Sequence, residues 1–217
     1  IESQINMVEI KKQADKVMGL EELDGGLVII KENSLHSLDF GGGNMESWTI
    51  RASNLDLGAV SKRSIKRVPG GIIFGGKENV YFFDGINVIP LADSWRTEYQ
   101  AATPSSAFAS YYPLKDQYRL TFPSTKKTYI LYLKTGGWVT DSTIDATPVD
   151  IFDTVDGNVV WVSAAQAYKM DQSTGVNNVI GSLTTSIMEL DPAYVWKIKR
   201  VFMTFKETTT GIILKFY

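Results

Sequence analysis

Gly70 to Leu91 reads GGIIFGGKENVYFFDGINVIPL. Ile72, Ile73 and Phe74 form a short apolar run, which Gly75-Gly76-Lys77-Glu78-Asn79 breaks with turn residues. Val80 to Phe83 form a second run, Asp84-Gly85 turns again, and Val88-Ile89 start a third. Short runs rich in β-branched and aromatic residues, separated by Gly, Asn and Asp, are the pattern of consecutive antiparallel strands. Asp84-Gly85 is expected in a tight turn with positive φ at Gly85, a backbone region that glycine enters without strain. The unit recurs in LVIIKENSLHSLDF (Leu27 to Phe40), with the same Lys-Glu-Asn between its runs and an Asp closing the second.

Four copies are visible, beginning at Leu27, Ile72, Tyr118 and Val159 and thus recurring after 45, 46 and 41 residues. The third reads QYRLTF, a turn over Pro123 to Lys127, then TYILYLKTGGW; the fourth reads NVVWV, a turn near Ala164-Ala165, then AYKMDQSTG. Blade-sized β repeats run to roughly 40–50 residues. A further strand is expected after each copy, at Trp48 to Ile50, Val88-Ile89, Trp138 to Thr140 and Val179-Ile180. A preceding strand is expected at Ser64 to Val68, Ala107 to Tyr112 and Val149 to Thr154. Each copy therefore supplies about four strands, the content of a propeller blade. Ile10 to Leu23 reads as a short helix, or as a strand and loop.

The end of the chain leaves the repeat. Ser182 to Glu189 alternates, Asp191-Pro192 turns, and WKIKRVFMTFK (Trp196 to Lys206) has an apolar register that predicts a bulge or edge shift near Lys199-Arg200. Ile212 to Tyr217 is a last strand. The expected domains are blades over residues 1–181 and exit strands over 182–217, which either close a ring or begin a second β layer. Tyr194, Trp196, Phe202, Phe205, Phe216 and Tyr217 make the exit aromatic, so part of it is expected to pack on the blades and part to meet another β layer or a neighbouring subunit.

Composition narrows the class. The 217 residues are 44% hydrophobic and 21% charged, as in a globular chain able to bury a core. With no cysteine, disulfides and thiolate metal sites are excluded; this suits a reducing compartment or an assembly held by packing. A net charge of −2 does not point to a nucleic-acid or membrane partner. Neither a signal-peptide pattern nor an apolar run of about 18 residues is present. The chain begins at Ile1 rather than Met, as a fragment or processed product would.

Catalytic signatures fail one by one. His36 is the single histidine, so a His-rich metal site is excluded and a Ser-His-Asp triad would have to use it. It sits in a strand beside Ser34 and Ser37, as an ordinary strand histidine does. Ser124-Thr125-Lys126-Lys127 fits S-x-x-K, but that chemistry needs the serine at a helix start in a cleft, and here it reads as a hairpin turn. Gly41-Gly42-Gly43-Asn44 lacks the following Lys-Ser/Thr of a phosphate loop and joins two strands.

Thr154-Val155-Asp156-Gly157 with Trp161 resembles the Asp-box of sialidase-type propellers, with its glycine one position early. Such a box braces a turn and does no chemistry. Arg51, Arg63, Arg67, Arg96, Arg119 and Arg200 are scattered without a sialidase pattern. Lys62, Arg63, Lys66 and Arg67, and again Lys197, Lys199 and Arg200, form basic clusters without stacking aromatics, as solvated strand faces do. Asp150, Asp153 and Asp156 could offer oxygens to Ca²⁺ but lack the EF-hand spacing. No catalytic, cofactor-binding or metal-ligating residue is therefore assigned, and the chain is expected not to be an enzyme.

SIKRVPGGIIFGGKENVYFFDG (Ser64 to Gly85), GLVIIKENSLHSL (Gly26 to Leu38) and the stretch from Ser110 to Trp138 resemble blades of the β-propeller head-to-tail hub, or tail nozzle, proteins of short-tailed bacteriophages. MELDPAYVWKIKRVFMTF (Met188 to Phe205) is similar to their crossover from propeller to β-sandwich. The resemblance covers nearly all of the chain and rests on turns and strand ends. It implies a virion protein assembled in the host cytoplasm, acting by homo-oligomeric ring assembly around the DNA channel. Its partners would be other connector and tail proteins, with DNA passing through unread and no membrane segment.

The expected fold is all-β, a propeller of about four or more four-stranded blade-like repeats followed by additional strands. The alternative function is a propeller lectin or glycosidase, which would need convergent carboxylates and aromatics in a pocket. A scaffold propeller of the WD or Kelch type lacks its Gly-His/Trp-Asp or double-glycine signatures here.

Overall fold

The computed structural model describes residues 15–41, 48–54, 56–142, 147–153, 159–163, 167–169 and 181–184. Antiparallel strands dominate them and group into four sheets. The first sheet is β1 (Val17–Leu23), β2 (Gly26–Lys31), β3 (Leu35–Asp39) and β4 (Thr49–Asn54), and the second is β5 (Lys66–Val68), β6 (Gly71–Gly75), β7 (Val80–Phe83) and β8 (Val88–Pro90). Strands β9 (Phe108–Tyr112), β10 (Gln117–Phe122), β11 (Lys127–Tyr132) and β12 (Gly137–Asp141) form the third, and β13 (Pro148–Asp153), β14 (Val159–Ser163) and β15 (Ala167–Lys169) the fourth. Within each sheet these strands pair in chain order, as meanders do. The repeated run of the sequence is the second strand of its sheet in all four cases.

Turn chemistry sets these meanders. Asp24 and Gly25 join β1 to β2 with φ of 51° and 76°, the double positive φ of a two-residue hairpin matched to strand twist. Asp84 accepts hydrogen bonds from the backbone N–H of Ile86 (2.8 Å) and Asn87 (2.6 Å), and Gly85 takes the expected positive φ, 100°. These amides, those of Asn87 first, hold the Asp84 carboxyl below its ordinary range.

The sheets stack in chain order, because a small sheet with two apolar faces must cover both. In β6, Ile72 and Phe74 enter a core with Leu23, Val28, Ile30 and Leu35 of the first sheet. Ile73, between them, enters a core with Tyr118, Leu120, Phe122, Tyr129 and Leu131 of the third. That alternation is the period-two geometry of a strand buried on both faces. Phe108 and Tyr112 of β9 meet Ile151, Val159 and Trp161 of the fourth sheet. Strand β1 lies against β6, β5 against β9, and β9 against β13.

Between the second and third sheets the chain makes a 3₁₀ turn at Asp93–Trp95 and the short helix α1 (Arg96–Ala101). The sequence reading did not foresee this helix. It inserts Trp95 and Tyr99 into the shared core, where Trp95 stacks on Tyr129 with ring centres 4.0 Å apart. The Trp138 indole N–H donates to Leu91 O (2.7 Å), and the Tyr99 hydroxyl donates to Gly76 O (2.6 Å). The Trp138 and Tyr99 rings are thereby satisfied by loop carbonyls, whereas the Trp95 indole N–H is buried without a hydrogen-bond partner.

Several expectations shift. Of Ile10 to Leu23, residues 17–23 are strand rather than helix, and residues 10–14 lie outside the described residues. Ser64 stands in a 3₁₀ turn, so β5 begins at Lys66. The strand expected at Val179-Ile180 and the turn near Ala164-Ala165 lie outside the described residues. The next described strand, β16 (Gly181–Thr184), joins β12 as a fifth strand of the third sheet, with Asp141 opposite Gly181 and Trp138 opposite Thr184. The fourth sheet is thus a chain excursion between two strands that are neighbours in the third. Residues 185–217, with the expected bulge and aromatic exit strands, lie outside the described residues.

Candidate functional site

The single histidine is the natural place to look for chemistry. His36 on β3 is buried at 4% exposure, and its Nε2 lies 3.1 Å from Ser34 Oγ. Ser34 Oγ in turn donates to Asp15 Oδ2, while Asn33 donates to Asp15 Oδ1 from its backbone N–H (2.8 Å) and side chain (3.2 Å). Burial acts to raise the Asp15 carboxyl, but the bonds from Ser34 and Asn33 and the charge of Lys31 hold it below its usual range.

All three residue types of a hydrolytic triad are therefore in one chain, in the wrong order. A nucleophilic serine needs the histidine between itself and the carboxylate. Here the serine is in the middle and gives its only proton to Asp15, so His36 Nε2 must donate to it. The hydroxyl is fully buried, out of reach of a substrate. The chain Asp15–Ser34–His36 ties the β2–β3 turn to the residues before β1. Sequence reading placed His36 and Ser34 together and missed Asp15.

The remaining candidates are structural. Ser124 Oγ donates to Ala102 O (2.9 Å) from the β10–β11 hairpin turn, with no helix start beside it. Gly41 follows β3 with its N–H on Asp39 Oδ1 (3.0 Å), and Gly42 to Asn44 lie outside the described residues. So do Thr154 to Gly157, while Trp161 packs against the core of the third and fourth sheets. Of the three aspartates considered for Ca²⁺, Asp150 pairs with Arg63, and Asp156 is outside the described residues. Among the described residues no group of three or more His, Asp or Glu side chains is placed to hold a metal ion.

The arginines do not converge either. Arg67 pairs with Glu22 (3.4 Å) and Arg96 with Glu78, each at the surface. Arg51 lines an open groove of about 290 Å³ between the first two sheets, with Ser37, Ser53, Asp24, Asp39 and Ile86. A second groove, of about 370 Å³, lies beside Arg67, Pro69 and Tyr111. The Tyr111 hydroxyl donates to Asp116 (2.9 Å), and partial burial with that carboxylate pushes it up to about 12. In the first groove Ser37 and Ser53 pair with one another at 2.8 Å, and Asp39 and Asp84 accept backbone amides of the turns beside them.

Two arginines stand apart: the sequence reading placed Arg63 in a solvated basic cluster and Arg119 among scattered arginines, and the structure gives each a specific place. Arg63, in the turn leading to β5, donates to Val149 O (2.6 Å) and pairs with Asp150, with its guanidinium 4.6 Å from the centre of the Phe108 ring. It reaches from the second sheet to the fourth, across the first strand of the third. Arg119, at the middle of β10, is 1% exposed; its Nε and Nη2 donate to Gln117 Oε1 (3.1 and 2.7 Å), and it lies 4.7 Å from the Tyr112 ring centre. Only neighbours on the opposite strand and sheet could have marked it as buried.

No helix among the described residues is long and apolar enough to cross a membrane. No family model matches the chain, and no curated protein matches it at a significant level.

Proposed function

We propose that the chain is a β-propeller segment of a structural virion protein, a head-to-tail connector hub or tail nozzle of a tailed bacteriophage, that works by ring assembly and performs no catalysis. The observation that carries this reading is Arg63. Arg63, in the turn before β5, reaches β13 past β9, and the contacts of β5 with β9 and of β9 with β13 support a reading in which the first strands gather about a common inner edge. Blades stacked in this way leave apolar faces at both ends of the series until a ring closes, and closure removes them.

A structural role also suits the polar side chains. The one histidine, the grooves and the surface ion pairs are used in bracing turns and joining neighbouring sheets. Further ring subunits and other connector or tail proteins are then the partners, the DNA in the channel is passed without being read, and the site of action is the virion.

Electron microscopy of the purified chain, and antibody labelling of intact particles of the virus that encodes it, test the proposal together. We expect radial blades about a central hole, and label at the neck or tail. Particles without radial symmetry would overturn the propeller, and absence of label would overturn the virion role. Turnover of glycosides that disappears on mutating a carboxylate would favour a carbohydrate-active propeller instead.

A further inference from the structure

We propose that the two grooves flanking the β1–β2 turn form one binding site for a neutral carbohydrate, with a sugar ring in each groove and the Asp24 carboxylate between them. The inference goes beyond the structural role and does not depend on ring closure. Leu23 and Asp24 line both grooves, so the hairpin tip is a wall shared by the two. The groove beside Arg51 is completed by β3, β4 and the Asp84-Gly85-Ile86 turn of the second sheet. Three sheets build the groove beside Arg67: the β1–β2 turn, the Pro69-Gly70 turn of the second sheet, and Tyr111 on β9 of the third. Their volumes, about 290 and 370 Å³, fall at the lower end of small-molecule sites, roughly 300–1,000 Å³. A Cβ on Gly25 or Gly70 would meet no atom within 4 Å, so the space above both turn tips is open.

The class of ligand follows from the charged groups that the fold does not engage. Asp24 and Arg51 make no hydrogen bond or ion pair among the described residues, and Arg67 makes one long contact, 3.4 Å, with Glu22. Asp39 and Asp84, by contrast, are taken by turn amides. Because Asp24 lines both grooves and each arginine lines one, the open groups run donor, acceptor, donor across the site. An anion in either groove is opposed by Asp24, and a cation by the arginine. A hydroxyl both donates and accepts, so a row of hydroxyls satisfies all three groups without bringing a charge.

The rest of the lining suits a sugar ring. Leu23, Pro69 and the Tyr111 ring in one groove, and Leu27 and Ile86 in the other, offer apolar surface to its C–H faces. Ile86 is 82% exposed. The groups are also held in place: Asp24 by its hairpin φ of 51°, Arg51 by the ladder of β4, and the Tyr111 hydroxyl by Asp116. A preorganised site loses little freedom on binding. Binding without cleavage is what these groups support. Hydrolysis takes two carboxyl groups across the scissile bond, and Asp24 is the one unengaged carboxylate in the lining.

Nuclear magnetic resonance titration of the intact chain with maltotriose, cellotriose, chitotriose and mannotriose tests this. At least one of them should shift the signals of Asp24, Gly25 and Tyr111 at millimolar concentration. Asp24→Asn, which keeps a side chain tolerant of positive φ, should leave the thermal midpoint unchanged and weaken that affinity at least about tenfold. Arg51→Gln and Arg67→Gln should each weaken it severalfold, and Glu32→Gln, at the other end of the first sheet, should leave it unchanged. Failure of all four trisaccharides to shift these signals would overturn the proposal. So would an affinity that Asp24→Asn leaves intact, or tighter binding of a trisaccharide ending in a uronic acid than of its neutral parent.

Discussion

The two faces of the third sheet differ in chemistry although they alternate along the same strands. Toward the second sheet β10 and β11 present Tyr118, Leu120, Phe122, Tyr129 and Leu131, packed with Trp95, Tyr99 and Trp138. On the opposite face the alternate positions are Gln117, Arg119, Thr121, Thr128, Ile130 and Tyr132, beside Phe108 and Tyr112 of β9, which pack with Ile151, Val159 and Trp161 of the fourth sheet. Apolar packing is common to both seams, but the second buries polar side chains beside it. The apolar seam is stabilised by removal of surface from water, about 25 cal/mol per Å², and has no geometric requirement beyond close packing. The second seam adds polar groups buried beside its apolar cluster and paired within the third sheet, Arg119 with Gln117 and Thr121 with Thr128, because a buried donor or acceptor left single costs more than a made bond contributes.

Mutation can break this contrast. Phe122→Ala, on the apolar face, should cost about 3–5 kcal/mol, since the ring touches Trp95, Tyr99 and Tyr129 and leaves a cavity; urea titration measures it. A loss below about 1 kcal/mol would mean the aromatic cluster does not hold the seam. On the polar face Thr121 and Thr128 share one hydroxyl–hydroxyl bond of 2.8 Å, fully buried. Thr121→Val should cost about 1–2 kcal/mol by stranding the Thr128 hydroxyl, whereas the Thr121→Val/Thr128→Val pair should come back to within about 0.5 kcal/mol of the parent. If the two single costs simply add, pairing is not what stabilises that face.

Moderately alkaline pH should produce the smallest change. Burial pushes the Tyr99, Tyr118 and Tyr129 hydroxyls above their ordinary value, with Glu98 adding to the effect at Tyr129, and all three lie in the apolar seam. Tyr111 is shifted the same way, to about 12. The folded chain keeps these protons while the unfolded chain releases them near pH 10. The stability they contribute is whole below about pH 10 and falls as pH rises through the folded values. Thermal midpoints flat to about pH 9.5 and declining above it are expected. Midpoints that rise over that range would contradict the burial of these hydroxyls.

The strand content and most turns were legible in the sequence because their causes are short-range. Asp84-Gly85 needs only its own φ and two neighbouring amides, and Ile72-Ile73-Phe74 announces a strand covered on both sides by being apolar at every position. The recurrence of the same runs at Leu27, Ile72, Tyr118 and Val159 was enough to mark four sheets. Helix α1 was missed: six residues carry too little periodic signal, and the helix is held by what Trp95 and Tyr99 bury rather than by its own propensity.

Contacts distant in sequence were decided by tertiary structure alone. Asp15 finds Ser34 across 19 positions and Arg63 finds Val149 across 86, and no local pattern encodes either partner. Arg119 reads as an ordinary strand arginine until the fourth sheet covers it. The alternation that marks β16 as a strand is compatible with pairing to any free edge; that it joins β12 rather than β15 depends on which edge the folded sheets leave within reach. Local backbone preference and alternation act within a few residues, and so can be read along the chain. Pairing of edges and covering of faces are set by the free energy of the assembled stack, and appear only once the sheets have met.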